Sequence, residues 1–342
     1  MSYTNNISYI KETLLVPRFY KTDLKALPQL NLKDFTLEFN SLLKEHRNDY
    51  NKYHFIYNPT ATSLLKNNPM FIAFLLRSCL AEFSGFLLYS EISKNTRLIT
   101  NKLLKKLFQV LARDEARHAG IINTYLNECN LNFNLGKLTK TRPYTYFLPR
   151  YVYYSVFLSE KIGYWRYITI YRFLNSFPKY LKHPIFNYFA SWCQDENRHG
   201  DFFSLILKSH HHLLTGPLAR LWTRFFLLVV FLTMITNDKE REEFFKVLGL
   251  DAFIYDLEVI THTNLVASKL FPVRLNLSSP LFLKTLTQFV NTFKNLKALS
   301  QKNPTSRVLF LRTLLKCILL SSKLFLLEPI GRQKSLFKEL YI

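Results

Sequence analysis

Asp114-Glu115-Ala116-Arg117-His118 and Asp195-Glu196-Asn197-Arg198-His199 repeat one pattern, D-E-x-R-H, at an interval of 81 residues. The pentapeptide is expected by chance on the order of 10⁻³ times in a chain of this composition, so two copies carry information. On a helix, residues three apart stand one turn apart on neighbouring faces, and a Glu carboxylate and a His imidazole so spaced can reach one metal ion. One Glu-x-x-His is an incomplete site. A bundle that holds two metals needs a Glu from each of two helices and a Glu-x-x-His from each of the other two. Glu82, in CLAEFSGFLLYS, and Glu160, in YYSVFLSEKIGYW, are carboxylates in otherwise apolar stretches, 33 residues before Glu115 and 36 before Glu196.

Measured along the helices, Glu82 and Glu115 stand about 20 and 27 Å from the turn between them, and Glu160 and Glu196 about 24 and 18 Å from theirs, so the four can share a layer. Four ionised carboxylates buried together would repel one another and cost several kcal/mol each in desolvation, whereas two divalent cations neutralise them. The predicted ligands are Glu82, Glu115, Glu160 and Glu196, two of them bridging, with His118 and His199 giving one nitrogen per metal. Carboxylates with two imidazoles suit iron or manganese better than zinc, and iron adds redox chemistry. Asp114 and Asp195 are placed to accept the second ring N–H of a ligand His, and Arg117 and Arg198 to pair with those aspartates. A helix-surface ion pair is the competing reading of the Asp and Arg residues.

Other side chains read as structural. Cys79 and Cys193, each three residues before a predicted ligand, read as small core fillers rather than redox groups, and Trp192 and Tyr164 face the site as packing. His210, His211 and His212 read as a cationic run at a helix C-terminus. His46, His54, His183 and His262 show no partner pattern.

The elements that must position these groups are helices. The pattern predicts an all-α chain with one helix near 32–47 and two helical hairpins in series, built from helices near 69–93, 97–126, 149–176 and 184–209. Asn68-Pro69 is an N-cap and first-position pair, and the Asn-rich 130–149 segment breaks the pattern. Five more helices are expected near 218–235, 239–248, 251–270, 281–300 and 305–327. The chain then divides into an N-terminal arm (1–60), a four-helix bundle (61–215) and a C-terminal helical extension packed on the bundle (216–342).

The 342 residues are 48% hydrophobic and 16% aromatic, with eight glycines, which suits a large core and disfavours the glycine-rich loops of nucleotide enzymes. A net charge of +22 favours an anionic partner, although abundant Lys, Asn, Ile and Phe also fit AT-rich coding DNA. Four scattered cysteines point to a reducing compartment, and the N-terminal residues read as neither signal nor transit peptide. The longest uncharged apolar run, Phe225 to Ile235, is too short to span a bilayer.

The segments KETLLVPRFYKTD (Lys11 to Asp23), NDYNKYHF (Asn48 to Phe55), AEFSGFLLYSE around Glu82, LARDEARHAG (Leu111 to Gly120), WCQDENRHGDFF (Trp192 to Phe203) and THTNLVASKLFPV (Thr261 to Val273) resemble the aerobic di-iron magnesium-protoporphyrin IX monomethyl ester oxidative cyclases. The resemblance covers nearly the whole chain and weakens after Leu281; at His262 and Asn276 the family usually carries Lys and Asp. It implies a ferritin-like di-iron four-helix bundle with additional N- and C-terminal helices. It also implies a reaction in which a reduced di-iron pair and O2 convert the porphyrin's methyl-propionate side chain to a ketone and close the fifth ring, giving divinyl protochlorophyllide. Electrons would come from NADPH through ferredoxin, with a small accessory subunit, in a plastid, on thylakoid or envelope membranes. Arg307 to Leu327 and Phe225 to Ile235 are candidates for peripheral membrane contact, and nucleic acid is not an expected partner. The alternatives are another di-iron oxygenase or desaturase, and a non-catalytic basic iron-binding protein.

Overall fold

The computed structural model describes residues 19–24, 33–49, 63, 66–94, 102–179, 183–301 and 307–331. The chain forms two compact units, the first made of Met1–His210 with Val247–Gly249, the second of His211–Lys246 with Leu250–Ile342.

In the first unit, α1 (Thr36–Asp49), α2 (Pro69–Lys94), α3 (Lys102–Glu128), α4 (Leu135–Thr141), α5 (Pro149–Ser176) and α6 (Phe189–Ser209) are the described helices. α2 packs along α3 and α5 along α6, so the two hairpins read from the sequence are present. α2 starts at the predicted place because Asn68 Oδ1 accepts the Phe71 amide at 2.9 Å, while Pro69 has no amide to satisfy. The apolar residues of α2 point inward on most of its circumference, with Phe71, Leu75, Leu80 and Tyr89 buried, and Glu82 is buried among them. α1 lies against α3 and α6 through Phe39, Leu42 and Leu43.

Three local details depart from the sequence reading. The fourth predicted helix begins with a 3-10 turn at Pro184–Tyr188, in which His183 Nδ1 accepts the Ile185 amide, and becomes α-helical at Phe189. The Asn-rich break contains α4, capped by Asn134, and a strand β2 (Tyr144–Tyr146). β2 pairs in parallel with β1 (Phe19–Lys21), and Phe19 meets the Phe83 ring edge-on at 5.9 Å. No local pattern could predict that pairing, because its partners lie about 125 residues apart and each strand is only three residues long.

In the second unit, α7 (Gly216–Lys239), α8 (Glu242–Val247), α9 (Ala252–Ser268), α10 (Pro280–Gln301) and α11 (Arg307–Leu326) follow the predicted order, with a short ladder of β3 (Val273–Arg274) and β4 (Ile330–Gly331). α2 and α7 are long and apolar enough to cross a membrane by length and composition, and half of the apolar window in each is buried. The uncharged run of α7 alone therefore understated its apolar length, because Leu218, Leu221 and Trp222 extend it past Arg220 and Arg224.

Asn264 is the polar pivot of the second unit. Its buried amide donates to Leu275 O at 2.8 Å and accepts Leu275 N–H at 3.0 Å, which pins to α9 the chain as it leaves β3. Asn264→Ala strands both backbone groups and is expected to cost roughly 2–4 kcal/mol in urea unfolding. A change under about 0.5 kcal/mol would show that the pivot is dispensable.

Candidate metal centre

All six predicted ligands converge in the first unit, and all six are buried. Their donor atoms form two overlapping groups, Glu82, Glu115, His118 and Glu196 in one, Glu115, Glu160, Glu196 and His199 in the other, with the atoms of each group within 4.8 Å of one another. Glu115 and Glu196, the carboxylates of the two repeated motifs, belong to both groups. The sequence reading expected two bridging carboxylates without saying which; Glu115 and Glu196 are the two whose positions fit that role.

Both imidazoles turn the same edge inward. His118 Nδ1 lies 3.1 Å from Glu82 and 3.6 Å from Glu196, and His199 Nδ1 lies 3.1 Å from Glu115 and 3.3 Å from Glu160. The outer ring nitrogens face aspartates across the bundle. His118 Nε2 is 3.1 Å from Asp195 of α6, and His199 Nε2 is 3.6 Å from Asp114 of α3, the latter beyond hydrogen-bond reach. Asp195 thus accepts from the histidine of the opposite hairpin as expected, whereas Asp114 faces His199 without a hydrogen bond and pairs with His46. Arg198 binds Asp195 at 2.6 Å, and Arg117 spans both aspartates, 3.0 Å from Asp114 and 2.8 Å from Asp195. Asp114, Asp195 and Arg198 of this network are buried and Arg117 is half-buried, so it is not a helix-surface ion pair.

The sequence reading missed a second repeat. Glu82-x-x-Gly85-x-x-x-Tyr89 recurs as Glu160-x-x-Gly163-x-x-x-Tyr167, with every position displaced by 78 residues. Tyr89 donates a short hydrogen bond to Glu160, and Tyr167 donates one to Glu82, so each phenol crosses to the other hairpin. Burial, reinforced by the adjacent carboxylates, holds both phenols far above their ordinary range, so they remain donors. The glycines make room: a Cβ on Gly85 would sit 2.9 Å from the Glu115 carboxylate, and one on Gly163 would collide with Glu196. Comparing the two hairpins position by position would have exposed this pattern.

The remaining candidates fall outside the cluster. Burial pushes the Cys79 thiol to about 12 and the Cys193 thiol to about 11, and each sulfur faces a backbone carbonyl, as core fillers do. Trp192 packs edge-on against His118 at 4.9 Å, whereas Tyr164 meets Trp165. His210 is buried at the end of α6 with Nδ1 donating to Ile206 O at 2.9 Å, and His211 and His212 are exposed. His183 packs between Phe71 and Tyr125. His54 lies outside the described residues. His46, read as partnerless, instead sits 2.9 Å from Asp114.

Without a counter-cation the cluster is electrostatically strained. Burial and the neighbouring carboxylates raise Glu115 to about 8 and hold Glu196 well above the usual carboxylate range. Glu82 is buried too, but His118 keeps it low. Against the penalty of burial, Asp195 and Glu82 raise His118 to about 9, and Asp114, Glu115 and Glu160 raise His199. Protons thus neutralise a site that two dications would otherwise neutralise. The buried Glu196 Oε1 has no hydrogen-bond partner, and four carboxylates with two imidazole nitrogens make a donor set that fits two iron ions.

Raised groups stabilise the fold while protonated. The Glu115 contribution is complete below its ordinary 4.5 and lost as pH rises through about 8; that of His118 is complete below 6.5 and lost through about 9. Metal-free protein is therefore expected to lose thermal stability between pH 6.5 and 9, by roughly 5 °C or more, and to regain it on adding iron(II) anaerobically. A flat profile in the stripped protein would refute the charge balance described.

A rubrerythrin family model matches residues 73–207, the span that carries all six residues. The chain is 45% identical over 334 residues to a magnesium-protoporphyrin IX monomethyl ester [oxidative] cyclase of Porphyra purpurea, covering 94% of this chain and 95% of that one. It is 46% identical over 326 residues to the cyclase of Gloeobacter violaceus, covering 94% and 93%, and 49% identical over 282 residues to that of Cyanidium caldarium, covering 81% and 79%. No solved structure matches. With a di-metal donor cluster and near full-length similarity of this kind, the chain belongs to the magnesium-protoporphyrin IX monomethyl ester oxidative cyclase family.

Proposed function

We propose that this chain converts magnesium-protoporphyrin IX 13-monomethyl ester to divinyl protochlorophyllide, with O2 as oxidant and electrons from NADPH through a ferredoxin-type donor. The observation that carries the proposal is the pair of donor groups sharing Glu115 and Glu196, within a chain aligned over 94% of its length to named cyclases. Glu82, Glu115, His118, Glu160, Glu196 and His199 would hold two irons, which when reduced supply O2 activation.

The protein's own groups have definite tasks in this reading. Tyr89 and Tyr167 orient the terminal carboxylates Glu160 and Glu82 by donating to them, which leaves the opposite carboxylate oxygens free to face metal. Asp195 fixes the tautomer of His118 by accepting from Nε2, so that Nδ1 presents its lone pair inward. Buried Trp192, Tyr89 and Phe203 keep water from the layer beside the ligands.

Relatives come from cyanobacteria and red algae. The setting we propose is a plastid, with a small accessory cyclase subunit as partner and peripheral attachment to thylakoid or envelope membranes. Supporting attachment, α11 exposes Leu311, Leu315, Leu319 and Leu326 along one side and carries Arg307, Arg312, Lys316 and Lys323 without any acid. On α7, Leu218, Leu221, Phe225 and Val229 form another exposed stripe. Apolar residues rimmed by cations suit an anionic lipid surface, where each cation contributes about 1 kcal/mol.

Iron-loaded protein incubated with the porphyrin ester, NADPH, ferredoxin, its reductase and O2 is expected to form product absorbing as protochlorophyllide. Glu115→Ala and His199→Ala should bind fewer than two irons per chain and lose turnover, while His211→Ala changes neither. Full iron with no product from the ester would favour another di-iron oxygenase. Sedimentation with phosphatidylglycerol vesicles should fall at least about tenfold in a Leu311→Ser, Leu315→Ser, Leu319→Ser variant and weaken with salt; unchanged sedimentation would refute the lipid face.

A further inference from the structure

Among the described residues, His46 is the buried polar side chain beside the centre that comes from outside the four-helix bundle. It lies near the C-terminal end of α1 and is 2% exposed. Its Nδ1 is 2.9 Å from Asp114 Oδ2, its ring stacks on His199 at 5.8 Å and 18°, and its Nε2 has no hydrogen-bond partner. α1 holds it there through Phe39, which meets Phe202 of α6 at 5.7 Å, and through buried Leu42 and Leu43.

The two repeated motifs make the two halves of the centre comparable, and the comparison isolates His46. Asp195 Oδ2 is shared by His118, at 3.1 Å, and by the Arg117 guanidinium, at 2.8 Å. The equivalent oxygen of Asp114 is bonded to His46, at 2.9 Å, and lies 3.6 Å from His199. An imidazole from an added helix thus stands in one half where a guanidinium stands in the other. Guanidinium is a fixed cation with several donors, whereas imidazole presents a single Nδ1–H to the carboxylate and a flat ring to its neighbour.

We infer that His46 is a positioning residue for the His199 half of the centre: its Nδ1–H aims Asp114 Oδ2 toward His199, and its ring backs the His199 imidazole. The inference rests on the metal-centre reading above and adds to it that α1 makes the two metal positions inequivalent. Partners in the outer layer of a metal site commonly change affinity 10–100-fold when removed, although they never touch the ion.

Cobalt(II) titrated anaerobically into the stripped full chain supplies a readout independent of turnover, through its visible d–d absorption. The wild type is expected to bind two ions with two distinguishable spectra. His46→Phe keeps a flat ring and loses the donor; it should weaken one of the two binding events 10–100-fold and alter its spectrum, leaving the other unchanged. His46→Asn, whose amide nitrogen can take the place of Nδ1, should recover most of the loss. Circular dichroism checks folding, and His46→Ala replaces the Phe variant in the same comparison if the larger ring disturbs the fold. Two wild-type binding events in the donor-less variant, or an Asn variant as impaired as it, would overturn the inference. Failure of the wild type to bind two ions would instead count against the metal centre itself.

Discussion

Four carboxylates buried in one layer of a helical bundle repel one another, and most features of the first unit follow from how that repulsion is managed. Left unpaired, each charge would cost several kcal/mol, a large fraction of the stability of an ordinary domain. Two histidines with raised affinity for protons, two neutralised carboxylates and two phenols meet the need in the absence of cations. The same carboxylates and imidazoles form a donor set that fits two iron ions. The bundle is therefore built around a charge deficit, and its apolar packing is the scaffold that tolerates it.

Closure of the two hairpins depends on exchange between them. Tyr89 and Asp114 come from the first hairpin and face ligands on the second, while Tyr167 and Asp195 do the reverse. Neither hairpin alone satisfies its own carboxylates and imidazoles. Gly85 and Gly163 complete the arrangement by letting the shared carboxylates approach the backbones of the partner helices in their own hairpins. Lys161 adds a further tie, its stem passing Gly200 and its ammonium held by Asn197 and Asp201 of α6.

Much of this was legible in the sequence because its information is local. D-E-x-R-H puts donors at a helical spacing that does not depend on the rest of the fold, and the isolated Glu82 and Glu160 stand out against apolar neighbours. The start of α2 follows from Pro69 and the Asn68 cap, and those of α5 and α7 from a proline in the first turn, signals that act within one turn. Tyr167 was within reach of the same logic, because seven residues make two turns and return a side chain to almost the same side of the helix as Glu160. His46 was beyond that logic. Its partner is 68 residues away on another helix, and nothing around it in the chain distinguishes a histidine that stacks on a ligand from one on a surface.

The departures from internal symmetry are therefore the most informative part of the structure. Repeated motifs would by themselves give two equivalent half-sites, with the same ligands, the same aspartate and the same tyrosine. Arg117 breaks that equivalence first, since one guanidinium reaches both aspartates while Arg198 pairs with Asp195 and Arg113 with Asp114. α1 breaks it again, by supplying an imidazole to one side alone. Inequivalence thus arises outside the ligands, where it can be adjusted without disturbing the charge balance on which the bundle depends. A centre whose two positions share donors but differ in support can bind its ions with different strengths, and the identical ligand sets of the two motifs conceal that difference.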